Sequence, residues 1–130
     1  MTETILIVDD EPDIVSLTEK FLRIGDFNTL TSNNGKEALK IIEERYPDIS
    51  LVLLDVMMPG LSGAEVLSKI KSREEYEHIK VVLFTVKSFQ EDIERGRNLG
   101  ADGYITKPFS GKDLLEYVKK LLKKKNRKEE

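Results

Sequence analysis

The stretch Ile49-Ser50-Leu51-Val52-Leu53-Leu54-Asp55-Val56-Met57-Met58-Pro59-Gly60 decides the fold. Its short apolar run predicts a strand buried on both faces. The run ends on a carboxylate, Asp55, and breaks at Pro59-Gly60, a strong turn signal. An ionisable group at the end of a core strand is costly unless it meets water, a metal or a partner. The simplest resolution is a site at the carboxyl edge of a sheet, where open α/β folds bind ligands.

Outward from that strand the same pattern repeats. Thr4-Ile5-Leu6-Ile7-Val8 is a β-branched apolar run that also ends in carboxylates, Asp9, Asp10 and Glu11. Pro12 suits the first turn of a helix, and Ile14, Leu17, Phe21 and Leu22 follow at helical spacing, with Gly25 at the end. Phe27–Thr31 reads as a short second strand. Asn34 with Glu37, Ser62 with Glu65, and Ser88 with Glu91 carry the spacing of helix N-caps. Their helices present Ala38, Leu39 and Ile42, then Val66, Leu67 and Ile70, then Ile93 and Leu99 with Gly100 at the C-terminal end. Lys80–Thr85 reads as the fourth strand and Asp102–Thr106 as the fifth. Ser110 and Asp113 open a last helix whose stripe is Leu114, Leu115, Val118, Leu121 and Leu122. Five strands alternating with five helices predict an α/β fold, a doubly wound parallel sheet with helices on both faces.

Composition narrows the function. The 130 residues suffice for one ordinary domain. A net charge of −3 argues against direct nucleic-acid binding. Without cysteine there are no disulfides or thiolate metal sites. No stretch is apolar enough to span a bilayer, and Met1-Thr2-Glu3-Thr4 is not a signal peptide, so the expectation is a cytoplasmic protein with no membrane partner. The single histidine, His78, lies in the charged run Glu74–His78 and reads as a solvated surface residue.

The polar residues at the strand ends point to the chemistry. Strand one ends in Asp9-Asp10, strand three in Asp55, strand four in Thr85 and strand five in Thr106-Lys107. In a parallel sheet these ends share one edge. Three carboxylates in one crevice repel unless a cation sits between them. Oxygen-only ligands favour a hard ion, Mg²⁺ or Mn²⁺. Lys107 and such a metal would balance an incoming phosphoryl group, Thr85 could donate to a phosphate oxygen, and a carboxylate there could attack phosphorus.

With these residues placed, the sequence closely resembles the receiver domains of two-component response regulators over roughly residues 3–124, with residues 125–130 a charged tail. The resemblance rests on the Asp pair after the first strand, Asp-Val-Met-Met-Pro-Gly from Asp55, the strand-ending Thr85, and Lys107-Pro108-Phe109. It implies a flavodoxin-like receiver fold with a five-stranded sheet in the order 2-1-3-4-5. It implies Asp55 as phospho-acceptor, Asp10 as a direct Mg²⁺ ligand, Asp9 assisting through water, and the Met57 backbone carbonyl as a further ligand. Lys107 would contact the phosphoryl group, with a cis Lys107-Pro108 bond. Thr85 and Tyr104 match the family's switch pair, which repacks the face of the fourth helix, fifth strand and fifth helix that partners read. The implied phosphodonor is a histidine kinase or histidine phosphotransfer protein. Such a protein is not a conventional enzyme, although it catalyses its own phosphorylation and slow dephosphorylation. One departure stands out. The residue after the switch threonine is usually small in this family, and here it is Val86, followed by Lys87. Val86 is expected to crowd the approach of water and small phosphodonors and so lengthen the life of the acyl phosphate.

Three rivals are weaker. An FMN-binding flavodoxin-like protein needs a Ser/Thr/Gly-rich phosphate loop where Asp9-Asp10-Glu11 stands. A haloacid-dehalogenase-type hydrolase needs a second Asp where Met57 stands. A phosphorylation-independent pseudo-receiver does not need the intact set of Asp9, Asp10, Asp55, Thr85 and Lys107. The methionine start and the charged tail after the last helix favour a stand-alone regulator over a receiver cut from a longer protein.

Overall fold

Five short runs of β-branched and aliphatic residues form one parallel sheet in the order β2-β1-β3-β4-β5. The strands are β1 (Thr4–Val8), β2 (Asn28–Ser32), β3 (Ile49–Asp55), β4 (Lys80–Val86) and β5 (Gly103–Lys107). The structure is a computed structural model that describes residues 3–86 and 100–129, with side chains described for 3–84 and 100–123. Among the described residues the α-helices are α1 (Pro12–Ile24), α2 (Gly35–Arg45), α3 (Gly63–Lys71) and α4 (Gly111–Glu129), with a short 3-10 turn at Glu74–Tyr76. The helix expected from Ser88 to Leu99 lies outside the described residues, so α4 is the fifth helix of the sequence reading.

Side chains that alternate along each strand separate into two cores. Leu6, Val8, Val52, Leu54, Val81 and Leu83 pack with Ala38 and Ile42 of α2 and Val66, Leu67 and Ile70 of α3. Ile5, Ile7, Leu51, Leu53, Val82, Phe84 and Ile105 pack with Leu22 of α1 and Leu114, Val118 and Leu122 of α4. β3 is buried on both faces, as its unbroken apolar run requires, and each such Leu or Ile contributes about 1.5–3 kcal/mol.

The capping signals at Asn34, Ser62 and Ser110 act as their spacing predicts, and the one at Ser88 and Glu91 lies outside the described residues. Asn34 Oδ1 accepts from Glu37 N at 2.8 Å. Ser62 and Glu65 form a reciprocal capping box, and Ser110 Oγ accepts from Asp113 N at 3.1 Å. Some boundaries differ. β2 begins at Asn28 because Phe27 turns into the α1–α4 core. β5 begins at Gly103 because the Asp102 side chain is taken by Lys71 at 2.8 Å and by the N–H of Val81 at 2.8 Å. In α1 the inward position is Thr18, fully buried, whereas Leu17 is exposed. His78 corrects its expectation: it is half-buried, and its Nε2 lies 2.6 Å from the Tyr46 carbonyl beyond the end of α2. The α4 helix runs on to Glu129, past the last residue of its apolar stripe, Leu122.

Candidate functional site

The register of the sheet assembles the site. Val8 pairs with Leu54, and Asp55 pairs with Phe84. Asp9, one residue beyond β1, therefore arrives beside Asp55. Thr85 pairs with Thr106, and Val86 with Lys107. The four strand ends expected to share an edge do so in backbone register. The side chains of Thr85 and Val86, and all of Lys87, lie outside the described residues.

Asp9 is fully buried. Its Oδ2 accepts from Lys107 Nζ at 2.8 Å, and its Oδ1 accepts from the Glu11 N–H at 3.0 Å. Lys107 Nζ also lies 3.6 Å from Asp55 Oδ1 and 3.4 Å from Glu11 Oε1. The bond from Lys107 to Pro108 is cis. Beneath the lysine, Phe84 and Phe109 stack with centroids 5.3 Å apart and planes 2° off parallel, and Lys107 Nζ is 5.9 Å from the centre of the Phe84 ring. Asp55 Oδ1 accepts from the Met57 N–H at 3.3 Å, which folds the backbone of Met57 over the carboxylate. The α3 helix begins directly against this turn. Gly63 N–H donates to the Val56 carbonyl at 3.1 Å. A Cβ at residue 63 would overlap the Asp55 carbonyl oxygen, so only glycine admits this approach.

The electrostatics follow from burial. Asp55 is pushed up from 3.8 to about 7, first by burial and next by the Asp9 charge, with Asp10 adding to the effect and Lys107 and the Met57 N–H opposing it. Burial by itself would lower Lys107, but the Asp9 hydrogen bond and the Asp55, Asp9 and Glu11 charges outweigh it and hold the ammonium above its usual range. The pocket thus carries more negative charge than one lysine neutralises.

Carboxylate oxygens of Asp9, Glu11 and Asp55 lie within 4.8 Å of one another, close enough for one cation. Asp10, the residue expected to ligate directly, is exposed and lines a neighbouring crevice of about 410 Å³ with Ser16, Thr31 and Asn33. Glu11 was named from the sequence as a strand-end carboxylate but given no ligand role, and its side chain is largely exposed. One signal was available: it is the N-cap of α1, where Ser, Thr, Asp or Asn is preferred, and its side chain makes no cap hydrogen bond. Tyr104 is half-buried and packs against the α2–α3 core, with its hydroxyl oxygen shielded from solvent.

The response regulator receiver domain model matches residues 5–119. The alkaline phosphatase synthesis transcriptional regulatory protein PhoP of Bacillus subtilis is 39% identical over 124 residues, 95% of this chain and 50% of that protein. The phosphate regulon transcriptional regulatory protein PhoB of Pseudomonas aeruginosa is 38% identical over 122 residues, 94% of this chain and 52% of that protein. The chain thus spans about half the length of these curated relatives. Among solved structures, a CheY-like response regulator receiver domain protein from Methanospirillum hungatei superposes with a TM-score of 0.89 at 31% identity, covering 98% of this chain and 99% of that one. The sheet order, the acidic edge and these matches agree, and the chain belongs to the response regulator receiver domain family.

Proposed function

We propose that this receiver takes a phosphoryl group from the phosphohistidine of a histidine kinase or phosphotransfer protein onto Asp55. The observation that carries the reading is a buried carboxylate at the end of a core strand, with the Lys107 ammonium 3.6 Å away. An Asp55 carboxylate oxygen forms a bond to phosphorus as the phosphorus–nitrogen bond of the donor breaks. The imidazole leaves with that electron pair, and the product is an aspartyl phosphate. Lys107 neutralises charge on the phosphoryl oxygens. The chain thereby catalyses its own phosphorylation and slow hydrolysis, and it turns over no separate substrate.

The donor set suits a hard divalent cation, since it is all oxygen and too negative for Lys107 alone. Asp9, Asp10, Asp55 and the Met57 backbone carbonyl would hold it, with Asp10 entering from the solvent side. Bound Mg²⁺, or Mn²⁺, would supply positive charge to the phosphoryl oxygens.

Thr85 and Tyr104 form the proposed switch pair, and Val86 and Lys87 modulate access to Asp55. The unit is residues 3–124, with 125–130 a charged tail. The phosphorylated state is read by a protein partner at the surface of β5, α4 and the helix expected from Ser88 to Leu99. No nucleic acid or membrane is contacted directly, and the setting is the cytoplasm. Among the described residues no helix is long and apolar enough to cross a membrane.

The test is intact mass after incubation with Mg²⁺ and a phosphorylated histidine kinase. Gain of one phosphoryl group, lost in Asp55→Asn and in EDTA, supports the assignment. Equal labelling of Asp55→Asn would place the acceptor elsewhere, and no labelling by any of several kinases would favour a phosphorylation-independent module.

A further inference from the structure

β5 is an edge strand of the sheet, paired among the described residues with β4 alone. Outward N–H groups on such an edge ordinarily face water or a pairing strand. At Tyr104 the N–H instead donates to the hydroxyl of Tyr117, on α4, at 2.9 Å. Tyr117 reaches that point because residue 103 is glycine, since a Cβ there would overlap the Tyr117 hydroxyl. The two tyrosines lie on opposite sides of the sheet. The Tyr104 ring packs with the α2–α3 core, and the Tyr117 ring packs with the α1–α4 core. Their hydrogen bond is therefore a bridge around the sheet edge that joins the two layers. Packing alone would need only the ring, and phenylalanine would supply that. The hydroxyl adds a directional link to one backbone atom, and that atom belongs to the residue assigned to the switch.

We infer that Tyr117 is a positioning residue of the switch: its hydroxyl ties the backbone of Tyr104 to α4, so that a displacement of Tyr104 on one face moves the helix on the other. The inference rests on the proposed role of Tyr104. It makes α4 respond to the phosphorylation state through a defined bond. A partner bound to α4 would then sense Tyr104 without touching it.

The test uses the full chain, ¹⁵N-labelled, with Tyr117→Phe, which keeps the ring and removes the hydroxyl. Without phosphorylation, amide hydrogen exchange at Tyr104 should quicken about fivefold, the loss of one ordinary hydrogen bond, while Ile105 is unchanged. With Mg²⁺ and acetyl phosphate or a phosphorylated kinase, the variant should incorporate the same amount of phosphoryl group as the parent. Phosphorylation-dependent amide shifts at Leu114, Val118 and Leu122 should fall to less than half, while those at Met57 persist. Gly103→Ala, which displaces the ring by bulk, should act in the same direction. Unchanged exchange at Tyr104, or full-sized α4 shifts in Tyr117→Phe, would overturn the inference. So would a phosphorylated parent in which Tyr104 does not respond. If the parent takes no phosphoryl group, it is the phospho-acceptor reading that fails, and the exchange rate at Tyr104 still decides whether the link exists.

Discussion

The ammonium of Lys107 lies 2.8 Å from the carboxylate of Asp9, although 98 residues separate them in the chain. Asp9 is fully buried and Lys107 nearly so, and the pair closes the carboxyl edge between β1 and β5 across β3 and β4. Lys107 stands where its charge faces both carboxylates, 2.8 Å from Asp9 and 3.6 Å from Asp55.

Removing that cation should cost stability. Lys107→Met leaves Asp9 buried and unpaired, and one-sided loss of a buried pair costs about 3–5 kcal/mol. Urea unfolding in EDTA should show a loss of that order, and millimolar Mg²⁺ should recover part of it through binding to the folded state. A variant as stable as the parent in EDTA would mean that the Lys107–Asp9 pair contributes nothing to the fold.

Asp55 makes stability depend on pH. Its folded pKa of about 7 lies above the 3.8 of the free side chain, so the folded state holds the proton more tightly than the unfolded chain does. The contribution is fully present below about pH 4 and is lost as pH rises through about 7. In EDTA the parent should lose about 2–4 kcal/mol relative to Asp55→Asn between acid and mildly alkaline pH. Parallel unfolding midpoints for the two proteins across that range would show that Asp55 ionises normally.

Gly63→Ala should damage the site through the backbone. The added methyl meets the Asp55 carbonyl oxygen and the Val56 Cα, neither of which can rotate away. A cost of about 1–3 kcal/mol is expected from overpacking, together with weaker Mg²⁺ binding as the Asp55–Met57 turn shifts. Calorimetric unfolding with a parallel Mg²⁺ titration would check both, and unaltered Mg²⁺ affinity would separate α3 from the site.

Val86 pairs with Lys107 in the backbone register of β4 and β5, next to the strand ends that hold the site. Val86→Ala should shorten the acyl phosphate lifetime by roughly two- to tenfold, the effect of about 0.5–1.4 kcal/mol on a barrier. The decay of the phosphorylated mass after donor removal gives the rate. No change would mean that bulk at this position does not limit access.

Much of the architecture was legible locally. An apolar run such as Leu51–Leu54 buries both of its faces in any fold that contains it, so β3 reads directly from composition. Asn34, Ser62 and Ser110 act on N–H groups three residues away, so their caps read from spacing. Boundaries at Phe27 and Asp102 were misread because distant partners claim those side chains: the α1–α4 core takes the first, and Lys71 with Val81 takes the second.

The buried strand that ends on Asp55, the acidic edge and the lysine that faces them are properties of residue order, because alternating strands and helices force all parallel strand ends onto one edge. Which carboxylates converge is a matter of angles that residue order does not encode. Asp10 and Glu11 are both exposed, yet it is Glu11, extended as the N-cap where the chain enters α1 at Pro12, whose carboxylate reaches Lys107 and the Asp9–Asp55 pair. The bridge from Tyr117 to Tyr104 is of the same kind. It exists because a helix packed on one face reaches the edge of the sheet at the one strand position, Gly103, with no side chain to keep it away.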